Sequence, residues 1–119
     1  MRKLRVTGPG GAGLAASCLL AASMPGRMRG LLGRTSLARD EGIHLVPCNA
    51  IHMWFMKFPI DAVFLDREHR VLRIYHSIQP WRMTPIVRGA HSCLEIAAGR
   101  AVEVGLREGD VLRFEEIPQ

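Results

Sequence analysis

The stretch His52-Met53-Trp54-Phe55-Met56-Lys57 gathers an imidazole, two aromatic rings, two thioethers and an ammonium group within six residues. If it is a regular strand, side chains alternate between faces, so His52, Trp54 and Met56 share one face and Met53, Phe55 and Lys57 the other. The first face suits a sugar ring or a planar group, because an indole packs on an apolar ring face while the imidazole hydrogen-bonds. The plain alternative puts Trp54 and Met56 in the core, with His52 satisfying a backbone carbonyl. Asp61 then interrupts the otherwise apolar run Ile60 to Leu65, and a charge in such a strand requires a compensating partner. A bond to loop backbone, or to an arginine such as Arg29 or Arg34, compensates it structurally. As a functional group it is a polar anchor or general base in a cleft, with Lys57 or His52 beside it.

A second set lies in His91-Ser92-Cys93-Leu94-Glu95, where strand alternation places a histidine, a thiol and a carboxylate on one side. These are the groups of nucleophilic catalysis. Residues two apart on a strand stand about 7 Å apart, however, too far for a direct thiol–imidazole bond. A third set, His44, Cys48, His52 and Met56, recurs every four residues and would share one face of a helix. Pro47 falls inside it and the segment reads as strand and turn, so no metal site is expected.

The chain of 119 residues is long enough for one core and too short for two, which makes residues 1–119 a single domain. Hydrophobic residues are 48% and aromatics only 6%, so aliphatic side chains must fill the interior. The formal charge of +5 permits contact with anions, but the basic residues are scattered. Arg27, Arg29 and Arg34 are interleaved with Met28, Leu31 and Leu32 instead of stacking aromatics, a pattern that argues against nucleic acid. Cys18, Cys48 and Cys93 cannot all pair within one molecule and contain no CxxC spacing. Reduced thiols and a cytoplasmic location are expected, with export or a lipoprotein form as the alternative. Arg2, Lys3 and Arg5 precede an apolar run, as in a signal peptide, but Gly8, Pro9, Gly10 and Gly11 occupy the place where its helix would begin. Residues 1–23 are therefore expected within the domain, and no stretch approaches a membrane span.

The elements that must position these groups are mostly strands. Leu4 to Val6 and Leu14 to Ala22 flank a Gly-Pro-Gly-Gly turn and read as a hairpin. Ser23, Pro25 and the spacing of Met28, Leu31 and Leu32 predict a helix ending at Gly33. Ile43 to Val46 follows an Asp40-Glu41-Gly42 turn as a short strand. Ile60 to Leu65 and Val71 to Tyr75 form a second hairpin across Asp66 to His69, the former apolar on both faces and so interior to a sheet. Gln79 to Pro85 reads as an ordered loop, Ala90 to Ile96 as a strand, Gly99 to Gly105 as a short helix closed by glycine, and Val111 to Phe114 as the last strand.

In order along the chain stand Arg29-Gly30-Leu31-Leu32-Gly33-Arg34, Asp40-Glu41-Gly42, His52, Met56-Lys57, Pro59-Ile60-Asp61 and Gly109-Asp110. This series resembles the family known as domain of unknown function 192, from about residue 14 to residue 114. The resemblance implies a compact, mainly β fold and carries no established reaction. The expected architecture is a β-sandwich or partly closed barrel with two short helices. The expected function is a non-catalytic or small-ligand-binding domain, with His52, Trp54, Met56, Lys57, Asp61 and Glu95 as candidate ligand-binding residues and no cofactor. Two alternatives stand beside it. One is a small hydrolase or transferase using His52, Asp61 or the His91-Cys93-Glu95 strand, and the other is an accessory domain docking through an Arg27 to Arg34 helix onto a protein partner.

Overall fold

The structure, a computed structural model, describes residues 3–21 and 34–118. Its strands are β1 (Lys3–Thr7), β2 (Gly13–Ala21), β3 (Glu41–Leu45), β4 (Ile60–Leu65), β5 (Val71–Ile78), β6 (Ser92–Ala97) and β7 (Arg113–Glu116). A single 3-10 turn at Pro9–Gly11 joins β1 to β2, and one short helix, α1 (Arg100–Glu103), follows β6. The strands form one seven-stranded sheet in the order β5-β4-β6-β3-β2-β1-β7. Neighbours are antiparallel except β2 and β3, which run parallel. A parallel pair cannot be joined by a tight turn, which is why a long connection separates these two strands.

The sheet curls until its two edges touch at one point. Arg70 and Val111 form an isolated antiparallel bridge, flanked by Val71 N–H to Asp110 O at 2.7 Å and Leu112 N–H to His69 O at 2.9 Å. The result is mainly β and not closed into a barrel. The predicted helix over Ser23 to Gly33, and with it most of the Arg27 to Arg34 docking surface, lies outside the described residues. Among the described residues, no helix is long and apolar enough to cross a membrane.

Apolar clusters cover both faces of the sheet, and β4 serves both. Val63 and Leu65 join Leu4, Val6, Leu14, Leu94, Ile96 and Leu106 on one face. Ile60, Ala62 and Phe64 join Ile43, Leu45, Cys48, Met53, Phe58 and Cys93 on the other. Every residue of β4 is buried, as its two-sided apolar pattern requires. Full burial of a side chain such as Phe64 contributes about 1.5–3 kcal/mol. Close approach of β3 to β6 depends on Gly42, where a Cβ would lie 3.1 Å from the carbonyl oxygen of Glu95 and 3.3 Å from Ile96.

Asp61 is fully buried on the first of these faces, and among the described residues its compensation comes from backbone. Oδ1 accepts the N–H of Ser77 at 2.8 Å, while Oδ2 accepts those of Gly99 at 3.1 Å and Ala101 at 3.0 Å. The first turn of α1 has no capping side chain of its own, since Gly99 occupies the N-cap. Asp61 supplies that cap from a neighbouring strand. Of the two arginines named above as partners, Arg34 instead bonds Glu41 at 2.8 Å, and Arg29 lies outside the described residues.

One expected strand is absent. His52 makes a single bridge to Met83, after which Trp54 and Phe55 form a turn. The alternating faces assigned to His52 through Lys57 therefore do not exist. A turn wins because the backbone of Met53 bonds across to the Gln79 to Pro85 loop on both sides, through Met53 N–H to Arg82 O at 2.7 Å and Trp81 N–H to Met53 O at 2.8 Å.

Candidate functional site

The turn at Trp54-Phe55 and the loop from Trp81 to Ile86 are zipped together. Besides the Met53 bonds, Thr84 N–H reaches Ile51 O at 2.9 Å and Val87 N–H reaches Asn49 O at 2.8 Å. The buried Thr84 hydroxyl accepts the N–H of Ile51 at 3.0 Å. Met53 and Phe58 drive inward into the second cluster and pin the segment at both ends. Little slack remains for the outer residues to fold back.

Those outer residues are aromatic and exposed. His52 and Trp54 stack with centroids 5.5 Å apart and planes 24° apart. Trp54 and Trp81 lie 6.1 Å apart, and Phe55 and Trp81 5.0 Å apart. Phe55 is 69% exposed, Trp81 57% and Met83 64%. Phe55 and Trp81 also hold positive φ, 66° and 67°. For a bulky side chain that conformation costs roughly 1–3 kcal/mol and occurs chiefly where the surrounding structure imposes it. Each of the two loops thus presents one aromatic residue in a strained conformation, without the burial that would offset the strain.

The structure brings only some of the expected site residues together. His52 and Trp54 are in ring contact, and His52 Nδ1 accepts the Trp54 N–H at 3.4 Å. Met56 packs, half-buried, against the second cluster. Lys57 is exposed next in the chain. Asp61 faces the first cluster and is occupied by α1 and β5. Glu95 is buried on the second-cluster face, opposite Ile43 and Ala62. Sequence reasoning missed Phe55, Trp81 and Met83 as members of one surface. The strand reading separates Phe55 from His52 and Trp54 on opposite faces of a strand that does not form, and the bridge that carries Met83 and Trp81 across is a long-range contact without a local signature.

The thiols of Cys18 and Cys93 are poor nucleophiles. Cys93 is buried, and burial pushes its pKa well up, helped by a hydrogen bond with Cys48 and by the negative charge of Glu95. Burial alone pushes Cys18 up to about 12. The Cys48 thiol donates to Ala50 O at 3.2 Å. Among the described residues no group of three or more His, Cys, Asp or Glu side chains could hold a metal ion. The spaced series dissolves because His44 faces away from Ile43 and Leu45, toward Phe114 and His69, whereas Cys48 belongs to the second cluster. Desolvation lowers the pKa of His44 to about 4, with nearby His69 and His91 acting in the same sense. A shallow cleft of ≈ 400 Å³ lined by Ile74, His76, Leu106, Arg107 and Glu108 contains none of the expected site residues.

Two solved structures share this fold. A protein of unknown function from Novosphingobium aromaticivorans is 26% identical, with a TM-score of 0.81 over 93% of this chain and 83% of that one. A Sinorhizobium meliloti protein called a "putative transcription regulator" is 22% identical, with a TM-score of 0.77 over 95% of this chain and 92% of that one. At that identity the second likeness concerns the fold alone. No curated protein matches the sequence. The family model for DUF192, described as Uncharacterized ACR, matches residues 6–114, and the chain belongs to that family.

Proposed function

We propose that this chain is a non-catalytic binding domain whose binding surface is the ledge formed by His52, Trp54, Phe55, Trp81 and Met83, with Lys57 at its rim. The observation that carries the reading is a contiguous set of exposed aromatic side chains held rigidly by backbone pairing beneath it. Exposed apolar patches on a single domain mark interaction sites, and a surface fixed before binding loses little entropy when it binds. Met56 supports the ledge from the core side. Asp61 acts as a fold anchor, since three amides already occupy its oxygens. Glu95 lies within the sheet.

The hydrolase alternative draws less support. A nucleophilic cysteine needs a depressed pKa and access, and Cys93 is buried with its pKa raised.

The chain contains two tryptophans, Trp54 and Trp81, so their indole N–H resonances report on the ledge directly. Titration with oligosaccharides, nucleotides and anionic amphiphiles, followed by proton–nitrogen NMR, should move these two signals for at least one class. Shifts that map only to the cleft at Ile74 and His76, or to the His91 to Glu95 strand, would refute the assignment.

A further inference from the structure

We propose that the ledge is a docking surface for anionic phospholipid bilayers, an inference that rests on the ledge being the binding surface. Three features select a bilayer over other partners of an aromatic surface.

The first is the mutual coverage of the rings. A base or sugar that stacks needs a free ring face, but Trp54 carries His52 at 5.5 Å and 24° on one side and has Trp81 at 6.1 Å. Trp81 in turn carries Phe55 at 5.0 Å. Trp54, in contact with two rings, is thereby the least exposed of the three large aromatics, at 36% against 57% for Trp81 and 69% for Phe55. The second is the aliphatic content of the same surface. Met83 is bridged to His52 and Ile86 follows on the same loop, both well exposed, and neither has a π-face to offer. A bilayer interface accepts both kinds of group, and tryptophan is enriched there because its ring is apolar and its N–H polar.

The third is charge. Residues 49–60 and 79–90 contain the cations Lys57, Arg82 and Arg88 and no Asp or Glu. All three cations are exposed. An exposed apolar surface on two segments whose only charges, apart from histidine, are cationic fits a surface that is apolar below and negative above, and each cation near an anionic leaflet adds to the attraction. Phe55 and Trp81, the two non-glycine residues of these segments with positive φ, both keep their rings exposed.

The test uses the full chain with vesicles of phosphatidylcholine alone and of phosphatidylcholine mixed with phosphatidylglycerol. Both tryptophans lie in the ledge, so intrinsic fluorescence reads the docked surface without a label. The expected result is a blue shift and protection from acrylamide on the anionic vesicles only, reversed by salt. Lys57→Glu with Arg82→Glu should lower the partition coefficient at least about tenfold, and Phe55→Ser with Met83→Ser should abolish the blue shift. An equal response to soluble glycerophosphoglycerol would overturn the bilayer as partner, as would vesicle binding that survives both double variants. A response to oligosaccharides or single-stranded oligonucleotides without one to vesicles overturns the bilayer but keeps the ledge as the binding surface. If vesicles and all soluble classes leave both tryptophans unmoved, the ledge assignment falls along with the bilayer.

Discussion

The amide of Ala101 donates to Oδ2 of Asp61 at 3.0 Å across forty residues of sequence. That bond, with those from Gly99 and Ser77, joins β4 to both the head of α1 and the far end of β5. One buried carboxyl group thus holds three separate stretches of backbone.

Asp61→Ala is expected to destabilise the domain by about 2–4 kcal/mol, because three amide donors lose their acceptor in a site that excludes water. Asp61→Asn should cost nearly as much. An amide side chain has one acceptor oxygen, so its NH₂ group must face either Ser77 or the Gly99 and Ala101 pair, donor against donor. Urea denaturation measures both. A wild-type midpoint for the Asn variant would show that hydrogen-bond polarity at Asp61 is irrelevant and that shape alone matters.

The need for such an anchor was legible in the sequence, because Asp61 sits in a run that is apolar on both faces. Its partners were not, since Ser77 and Gly99 carry no local mark of a long-range bond. The two hairpins around Pro9 and Asp66 were readable for the opposite reason: turn and strands are adjacent in sequence, and Asp66 closes its own turn by accepting from Glu68 and Arg70. The segment at His52 to Lys57 misled because its composition is strand-like, yet its conformation is set by the bonds of Met53 to residues of the opposite loop. Local propensity lost there to tertiary pairing. The ledge is therefore invisible as a unit in the sequence, although His52 and Trp54 stand out within it.

Gly42→Ala should also destabilise, by about 1–3 kcal/mol. The closest atom to the added Cβ is a backbone oxygen of β6 at 3.1 Å, which cannot rotate away as a side chain could. Thermal or urea melts read the loss. A neutral result would mean that β3 and β6 can separate without disturbing the sheet.

Stability should fall as the solution is acidified from pH 6.5 toward pH 4, and His44 should account for much of the fall. Its ordinary pKa of 6.5 is lowered to about 4 in the folded chain, so between those values the unfolded chain binds a proton that the folded chain refuses. The contribution is fully present above pH 6.5 and is lost on the way down, with a magnitude on the order of 3 kcal/mol. Glu41, held below its ordinary 4.5 by the Ala38 N–H and Arg34, acts in the same sense but only at lower pH. His44→Phe keeps a ring against Phe114 and cannot charge. The difference between urea midpoints at pH 7 and pH 5 should be clearly smaller in that variant than in the wild type; equal differences would remove His44 as the cause.

Cysteine labelling should follow burial rather than chemistry. A thiol reacts as its thiolate, and both Cys18, raised to about 12, and Cys93, raised still by burial and by its neighbours Cys48 and Glu95, hold their protons at neutral pH. Iodoacetamide at pH 8 should modify the folded chain far more slowly than the same chain in urea, with protection of at least about tenfold at Cys18 and Cys93. Raising the pH from 7 to 9 in the absence of denaturant should bring no rapid phase, because access still depends on opening of the sheet. Rapid labelling of Cys93 below pH 7, abolished by His91→Ala or Glu95→Ala, would contradict the buried, protonated thiol and restore a cysteine nucleophile supported by its strand neighbours. The location of Cys93 makes the opposite outcome the expected one: it sits on β6, paired with Leu45 on one side and Phe64 on the other, in the middle of the sheet, where a substrate would have to part the strands to reach it.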